Sequence, residues 1–174
     1  QFIDWANQHF PQVSINLYSG KDWMTDHLDQ WSQEEARITG EKPLILPLLD
    51  PLLDTTKPLH KLLLIGEAEE IQALYRAISA DDFPSTAFYL SKANYLEVTA
   101  KHVSKEDALV ELANHYHLSL EEVLTMGDNF NDLPMLKKAG IGVAMGNAPQ
   151  EVKDEAAVVT KDNNENGAGQ AVET

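Results

Sequence analysis

The sequence lacks cysteine entirely, and it lacks any long apolar run. Without cysteine, no disulfide can crosslink the chain, and no thiolate can bind a metal or attack a substrate. A chain of this kind suits a reducing compartment, so we expect a cytoplasmic protein. No apolar stretch approaches the roughly 20 residues that a membrane-spanning helix needs, and we therefore expect no membrane partner.

Positive charge is also scarce. The 174 residues include 13 Lys and Arg against 28 Asp and Glu, which gives a formal net charge of −15 at pH 7. Such a surface repels a phosphate backbone, so the composition argues against a nucleic-acid partner. A small anion could still bind, but only beside a metal ion or a local cation.

Against this background, the stretch 126–136 (MGDNFNDLPML) carries groups that suit a hard cation. The apolar run 123–126 predicts a strand, and apolar residues then recur at helical spacing up to Gly140. Asp128 is therefore expected at the carboxyl end of a strand, where open α/β sheets bind ligands. Mg²⁺ typically takes one or two carboxylates together with waters and phosphate oxygens. Asn131 and Asp132 fall at the start of the helix, where either could simply be its cap.

Lys105 is the second informative residue. Ser104 and Asp107 predict a helix start, which puts Lys105 in the first turn. A cation there opposes the helix dipole by about 0.3–1 kcal/mol at an exposed site. Either an anion lies nearby, or Lys105 is an ordinary solvated surface lysine.

The first hundred residues predict an α/β unit. The segment 43–58 contains four prolines, which favours a short strand and turns over a long regular element. Elsewhere the periodicity predicts helices at 2–10, 28–39 and 67–78, and strands at 14–19, 21–25, 61–65, 86–90 and 95–99. We expect a compact sheet with helices on one face.

The pattern then changes to strict alternation of helix and strand, with a domain boundary near residue 100. An apolar stripe predicts the first helix and consists of Ala108, Leu109, Leu112, Ala113 and Tyr116. Strands follow at 123–126, 141–144 and 157–160, with helices after Asp132 and at 149–156. This alternation is typical of a parallel sheet.

Near the end of the chain, five residues match the spacing of an EF-hand calcium loop: Asp162, Asn164, Asn166, Gly167 and Glu173. An EF-hand needs a helix on each side of the loop. Here the preceding segment, 157–160, predicts a strand, and Glu173 leaves no room for a following helix. A polar turn with two glycines explains the same residues without calcium.

Several motifs together resemble the Cof-type phosphatases of the haloacid dehalogenase-like (HAD) hydrolase superfamily. They are GDNFND at 127–132 with Met135 and Leu136, VAMGNA at 143–148, and VSK at 103–105. Segments 17–20, 38–40, 61–66 and 95–98 are similar to the family's cap domain. The resemblance implies an α/β fold in which 1–100 form an α/β cap, an open-faced sheet with helices on one face. Residues 101–174 would form the carboxyl-terminal half of a Rossmann-like parallel-sheet core.

The resemblance also implies an activity and its residues. The activity is Mg²⁺-dependent hydrolysis of small phosphate monoesters through an aspartyl-phosphate intermediate, with a sugar phosphate or a nucleotide-like or cofactor-like metabolite as substrate. Lys105 resembles the catalytic, phosphate-binding lysine, and Asp128 resembles the Mg²⁺ ligand. Asn131 resembles the residue that contacts the phosphoryl group or the substrate. Asp132 resembles a catalytic partner that orients the lysine or a metal-bound water.

One departure from the family pattern is decisive for activity. Family members carry a nucleophilic aspartate and a second aspartate two residues later, and no two aspartates have that spacing here. We therefore expect a piece of a longer phosphatase that is inactive alone. Its exposed core edge would self-associate or hold the missing N-terminal segment. The alternatives are a catalytically dead HAD-like binding module and the phosphorylation domain of a cation-transporting ATPase.

Overall fold

The computed structural model describes residues 1–54, 56–78 and 82–173. The chain divides into two compact units, Gln1–Lys101 (unit 1) and His102–Thr174 (unit 2). Each unit has its own sheet and its own apolar core.

Unit 1 forms the helices and strands that its hydrophobic periodicity predicts. Its elements are α1 Phe2–His9, β1 Ser14–Ser19, β2 Asp22–Thr25, α2 Gln30–Thr39, β3 Leu44–Ile45, α3 Leu49–Leu53, β4 Lys61–Ile65, α4 Ala68–Ala77, β5 Thr86–Lys92 and β6 Tyr95–Ala100. The proline-rich segment holds the predicted short strand, β3. It also holds a short helix that the sequence did not predict, α3, with the buried Pro51 in its first turn, where proline is tolerated.

The sheet of unit 1 has the strand order β3-β2-β1-β4-β6-β5, and all neighbours are antiparallel except β2 and β3. Helices α1 and α4 pack on one face and enclose the main core. That core includes Phe2, Ile3 and Ala6 from α1, Ile71 and Leu74 from α4, and Ile15, Leu17, Leu64, Leu96 and Val98 from the strands. Helices α1 and α4 thus lie on one face of the sheet as expected, but the expectation that all helices share that face is wrong, because α2 packs on the other.

Helix α2 contacts the opposite face of the same sheet. Leu63, Ile65 and Tyr95 form a small buried cluster there, and Trp31 of α2 packs against it. The hydroxyl of Tyr95 donates a hydrogen bond of 2.8 Å to Oε2 of Glu35, also in α2. Burial, together with the neighbouring Glu35 carboxylate, raises the pKa of Tyr95 above its usual value. This face is therefore partly covered by a helix that holds a buried polar pair.

Unit 2 has the alternating order that the sequence predicts. Its elements are α5 Lys105–Tyr116, β7 Leu124–Gly127, α6 Leu133–Lys138, β8 Ile141–Ala144, α7 Gln150–Glu155, β9 Val158–Val159 and α8 Gly167–Glu173. Single 3₁₀ turns lie at Leu120–Glu122 and Asn163–Glu165. The strands form a parallel sheet in the order β7-β8-β9, as expected.

The two faces of this sheet are covered unequally. Helices α6 and α7 pack on one face around Leu136, Ala144, Ala148 and Val152. The opposite face exposes apolar side chains, with Leu124 at 38%, Ile141 at 46% and Val158 at 45% of their surface accessible. Parallel sheets are normally buried on both faces. In the part of unit 2 that the structure describes, this second face is only partly covered: Val143 on it is buried, while Leu124, Ile141 and Val158 are exposed.

The predicted stripe of α5 is narrower than expected. Leu109 and Ala113 are buried, whereas Leu112 and Tyr116 expose 55% and 63% of their surface. Two buried residues one turn apart form only a narrow packing surface, so α5 contacts the rest of unit 2 through a small part of its circumference. The stripe predicted the helix correctly, but Ala108, Leu112 and Tyr116 on it are exposed in the described structure.

Candidate active site

Three loops of unit 2 follow the carboxyl ends of neighbouring parallel strands, and they therefore meet at one edge of the sheet. The loop after β7 begins with Asp128, the loop after β8 carries Asn147, and the loop after β9 carries Asn163. Because all three strands run in the same direction, the loops lie side by side. Open α/β sheets bind their ligands at this edge.

Asp132 is the buried carboxylate of this edge, with 3% of its surface exposed. Its Oδ2 accepts hydrogen bonds from the backbone N–H groups of Asp128 and Asn129, at 2.9 and 3.1 Å. Its Oδ1 accepts a hydrogen bond from the ammonium of Lys105. The side chain makes no capping hydrogen bond to α6, which begins at the next residue. The simple cap explanation is therefore wrong for this side chain, which instead ties the β7–α6 loop to the start of α5.

Lys105 is the first residue of α5 and follows the N-cap Ser104, whose hydroxyl accepts a hydrogen bond of 3.0 Å from the N–H of Asp107. A cation at this position opposes the helix dipole, and the carboxylate of Asp132 offsets that effect. The lysine side chain is still 51% exposed. Since an ammonium has three N–H donors, it can hold Asp132 and donate to a ligand at the same time. The anion beside Lys105 in this structure is the carboxylate of Asp132.

Asp128 and Asn131 occupy the same loop as Asp132. Asp128 is exposed immediately after β7, and its Oδ2 accepts a hydrogen bond of 2.9 Å from Nδ2 of Asn147. Asn131 is half-buried and directly precedes Asp132. The structure thus brings Lys105 and Asp132 into direct contact, and it links Asp128 to Asp132 through the backbone of the loop.

Gly127 makes this loop possible by its small size. A Cβ atom at position 127 would lie 2.7 Å from Cγ and 2.9 Å from Oδ2 of Asp132. Gly127 is not needed for a positive φ, because Gly20 and Gly40 are the described glycines that have a positive φ. The physical requirement at position 127 is therefore space for the buried carboxylate of Asp132.

Asn147 is a site residue to which the sequence reasoning gave no role. It lies within the VAMGNA motif and follows β8 much as Asp128 follows β7. This shared position after neighbouring parallel strands was the available signal. Its contact with Asp128 depends on the distance between two loops, which the sequence alone does not give.

Among residues 1–54, 56–78 and 82–173, no group of three or more His, Cys, Asp or Glu side chains could together hold a metal ion. Mg²⁺ does not need such a group, because one or two carboxylates with waters and phosphate oxygens are its usual ligands. The exposed carboxylate of Asp128 at the ligand-binding edge fits that requirement as a single protein ligand.

The segment that matches the calcium pattern has a different structure from an EF-hand. The carboxylate of Asp162 accepts hydrogen bonds from the N–H groups of Asn164 and Glu165, at 2.7 and 3.0 Å. It therefore caps a 3₁₀ turn, and β9 precedes that turn as predicted. The prediction of a polar turn around Gly167 and Gly169 is wrong, because Gly167–Glu173 form the helix α8.

Across the three described ranges, no helix combines the length and the apolar character that crossing a membrane requires.

The fold and the site place the chain among α/β proteins with a polar ligand site at the carboxyl edge of a parallel sheet. A comparison with protein families is more specific. Residues 1–172 match the model of the haloacid dehalogenase-like hydrolases. The chain therefore belongs to the haloacid dehalogenase-like hydrolase family, as the motifs indicated.

Individual relatives agree with this membership. The chain is 40% identical over 158 residues to a Haemophilus influenzae protein named "putative phosphatase", and the match covers 90% of this chain and 58% of that protein. It is 30% identical over 143 residues to an HMP-PP phosphatase of Yersinia enterocolitica, with 82% of this chain and 51% of that protein covered. This chain thus spans between half and three fifths of the length of these two relatives.

The solved structures give the same fold. A crystal structure of a haloacid dehalogenase-like hydrolase from Bacteroides thetaiotaomicron superimposes with a TM-score of 0.79 at 31% identity. It covers 99% of this chain, which corresponds to 64% of that structure. The α/β fold class expected from the sequence is confirmed.

Proposed function

We propose that this chain provides the Mg²⁺-binding and phosphate-binding part of a phosphatase that hydrolyses small phosphate monoesters. Asp128 is the metal ligand, Lys105 and Asn131 contact the phosphoryl group, and Asp132 orients Lys105. The observation that carries the proposal is the buried Asp132, which holds the ammonium of Lys105 with one oxygen and the backbone of Asp128 with the other. One side chain thus fixes both the proposed phosphate ligand and the loop of the proposed metal ligand.

The charge balance of the chain supports a small substrate over a polyanion. Phosphoryl transfer depends mainly on positioning and on neutralising charge at the phosphoryl oxygens. With a net charge of −15, the protein must supply that neutralisation locally. The half-exposed ammonium of Lys105 gives one positive group, and a Mg²⁺ ion on Asp128 would add two further charges. Relatives named as phosphatases support this class of substrate.

The chemistry of bond cleavage requires a group beyond these. The family resemblance implies an aspartyl-phosphate intermediate, which needs a nucleophilic aspartate and a second aspartate two residues later as general acid. No two aspartates among the 174 residues have that spacing. We therefore propose that these residues alone bind phosphate and Mg²⁺ without turnover. In the parent protein, unit 1 would act as the cap and a nucleophile outside this sequence would complete the site.

The proposal predicts separate outcomes for turnover and for binding. The purified 174-residue chain with Mg²⁺ should hydrolyse p-nitrophenyl phosphate no faster than buffer does. The same chain should bind orthophosphate in the presence of Mg²⁺, as measured by ³¹P NMR line broadening. Lys105→Met should weaken that binding about tenfold, since a charge-assisted hydrogen bond contributes roughly 1.5 kcal/mol.

The matched control is Lys153→Met, which removes the same charge from α7. Hydrolysis above the buffer rate by the pure chain would refute the argument about the nucleophile. Equal phosphate affinity in Lys105→Met and Lys153→Met would overturn the role of Lys105. If neither the wild-type chain nor its longer parent bound phosphate, the non-catalytic alternative would stand instead, with a different ligand.

A further inference from the structure

Asn147 connects all three loops at the carboxyl edge of the sheet. Its Nδ2 donates a hydrogen bond of 2.9 Å to Oδ2 of Asp128, after β7. Its Oδ1 accepts a hydrogen bond of 3.2 Å from the backbone N–H of Asn163, after β9. The two ends of a primary amide are easily confused, but a backbone N–H can only donate. The oxygen of Asn147 must therefore face Asn163, which leaves its NH₂ group for the carboxylate of Asp128.

The loop that holds Asn147 is itself fixed against the turn after β9. The N–H of Gly146 donates a hydrogen bond of 3.0 Å to the carbonyl oxygen of Lys161. A Cβ atom at position 146 would lie 2.6 Å from the backbone nitrogen of Asp162, so only glycine allows this approach. Asp162 in turn caps the 3₁₀ turn that follows, which fixes the N–H groups of that turn. The segment that matches a calcium loop in sequence thus forms a rigid support behind Asn147.

We propose that Asn147, supported by the turn at 162–165, is a positioning residue that orients the carboxylate of Asp128 toward its cation. The inference deepens the proposed function, because it rests on Asp128 as the metal ligand. A neutral amide donor restricts rotation of the carboxylate about its Cβ–Cγ bond and leaves its negative charge intact. A lysine in the same place would fix the rotation but would compete with the cation. Neighbours that orient a metal ligand typically change metal affinity by about 10–100-fold when they are removed.

The competing explanation is an ordinary hydrogen bond between two exposed loops, with no influence on the ligand. The two explanations differ in what Asn147→Ala changes. An ordinary loop contact would affect stability alone. A positioning contact would change the side-chain conformation of Asp128 and its affinity for metal, while the melting temperature stays nearly constant because Asn147 is exposed.

The experiment uses the 174-residue chain and Mn²⁺ as a paramagnetic stand-in for Mg²⁺, with affinity measured by electron paramagnetic resonance. We expect Asn147→Ala to raise the Mn²⁺ dissociation constant about tenfold, at the lower end of the known range. The control Asn164→Ala removes an exposed amide from the same turn and should leave the dissociation constant unchanged. Equal affinity in Asn147→Ala and wild type, or equal losses in both variants, would overturn the proposal.

A second measurement separates the positioning role from the metal assignment. Asp128→Asn should abolish Mn²⁺ binding, and if it binds Mn²⁺ as well as wild type, the proposed metal ligand is wrong. The role of Asn147 is then judged by metal-free crystal structures. Asp128 should adopt one rotamer in wild type and in Asn164→Ala, and more than one in Asn147→Ala. A single unchanged rotamer in Asn147→Ala would overturn the positioning role whatever the metal result.

Discussion

The two units of this protein are stabilised internally by different kinds of contact. Among the described residues, the main core of unit 1 contains thirteen buried apolar residues on one face of a six-stranded sheet, where α1 and α4 pack. The main described core cluster of unit 2 contains four, on one face of a three-stranded sheet. At its carboxyl edge, unit 2 depends on the hydrogen bonds of Asp132, Asn147 and Asp162. The unit that carries the candidate site thus has the smaller apolar core, and a few hydrogen bonds hold the loops at its carboxyl edge.

Buried polar groups also have different surroundings in the two units. In unit 1, Asn16 is fully buried and bonds to Ser14, to the carbonyl of Leu63 and to the indole N–H of Trp23. Such a network stiffens a core that already exists. In unit 2, Asp132 bonds mainly to exposed or half-buried neighbours. Loss of one contact at that edge should therefore change the position of loops more than it changes global stability.

The largest expected effect comes from adding one methyl group at the end of a strand in each unit. Gly127→Ala should destabilise unit 2 by about 3 kcal/mol, because the new Cβ would collide with Asp132 and overpacking typically costs 1–3 kcal/mol. Gly66 follows β4 in unit 1, and in Gly66→Ala the atom nearest to the new Cβ is a methyl carbon of Val13 at 3.3 Å. That side chain can shift by a few tenths of an ångström, so the cost should stay below about 1 kcal/mol.

Each unit can be followed by its own signal in this test. All three tryptophans, Trp5, Trp23 and Trp31, lie in unit 1, so urea unfolding monitored by fluorescence reports on that unit. Hydrogen–deuterium exchange of peptides from 120–145 reports on unit 2. The comparison of the two units fails if Gly66→Ala costs as much as Gly127→Ala.

A smaller effect is expected at the buried polar pair of unit 1. Tyr95→Phe removes the donor to Glu35 and should destabilise unit 1 by about 1–2 kcal/mol, the usual cost of an unsatisfied buried acceptor. The control Tyr75→Phe changes an exposed tyrosine on α4 and should have no measurable effect. If both variants unfold at the same urea concentration as wild type, the Tyr95–Glu35 contact does not stabilise the unit.

The same pair predicts a dependence on alkaline pH. Because burial raises the pKa of Tyr95, the folded state favours its neutral phenol. This contribution to stability is complete below the unfolded pKa of about 10 and is lost as the pH rises above that value. Unfolding measured from pH 8 to pH 11 should therefore show a steeper alkaline loss in wild type than in Tyr95→Phe. Parallel curves for the two proteins would contradict the assignment.

The smallest effect concerns the exposed apolar residues on the partly covered face of the unit 2 sheet. We expect the 174-residue chain to self-associate weakly through β7, an edge strand of the described sheet that exposes Leu124. Sedimentation velocity should show a concentration-dependent coefficient, and Leu124→Lys should reduce that dependence. Leu112→Lys places the same charge on an exposed position of α5 and should not. A stable monomer of the wild-type chain at all concentrations would contradict the expectation.

Much of the fold could be predicted because apolar periodicity reports local structure directly. Strands β1, β4 and β8 and helices α1, α4 and α7 lie where the pattern puts them. Helix α8 could not be predicted, because Gly167 and Gly169 are poor helix formers. Its first residue is fixed from outside the helix, by hydrogen bonds with Asp162 and Thr160. Tertiary contacts decide this element.

The candidate site was predictable to a similar degree. The lysine, the aspartates and Asn131 follow from motifs, and the structure brings Lys105 and Asp132 together, while the roles given to these residues remain predictions. The contact of Asn147 with Asp128 could not be predicted, because it joins two loops that are 19 residues apart in the chain. The exposure of Leu112 and Tyr116 could not be predicted either, since periodicity shows an apolar face of a helix without showing what covers that face.

The bond between Lys105 and Asp132 has one further consequence, which concerns how two ligands would influence each other. An anion that draws the ammonium of Lys105 outward also loosens its hold on Asp132, and Asp132 supports the backbone of Asp128. A cation on Asp128 would, by the same connection, change the hold on Lys105. Thermodynamic reciprocity requires the two effects to be equal in size. In the proposed site, one buried carboxylate would thereby couple the affinity for the anion to the affinity for the cation.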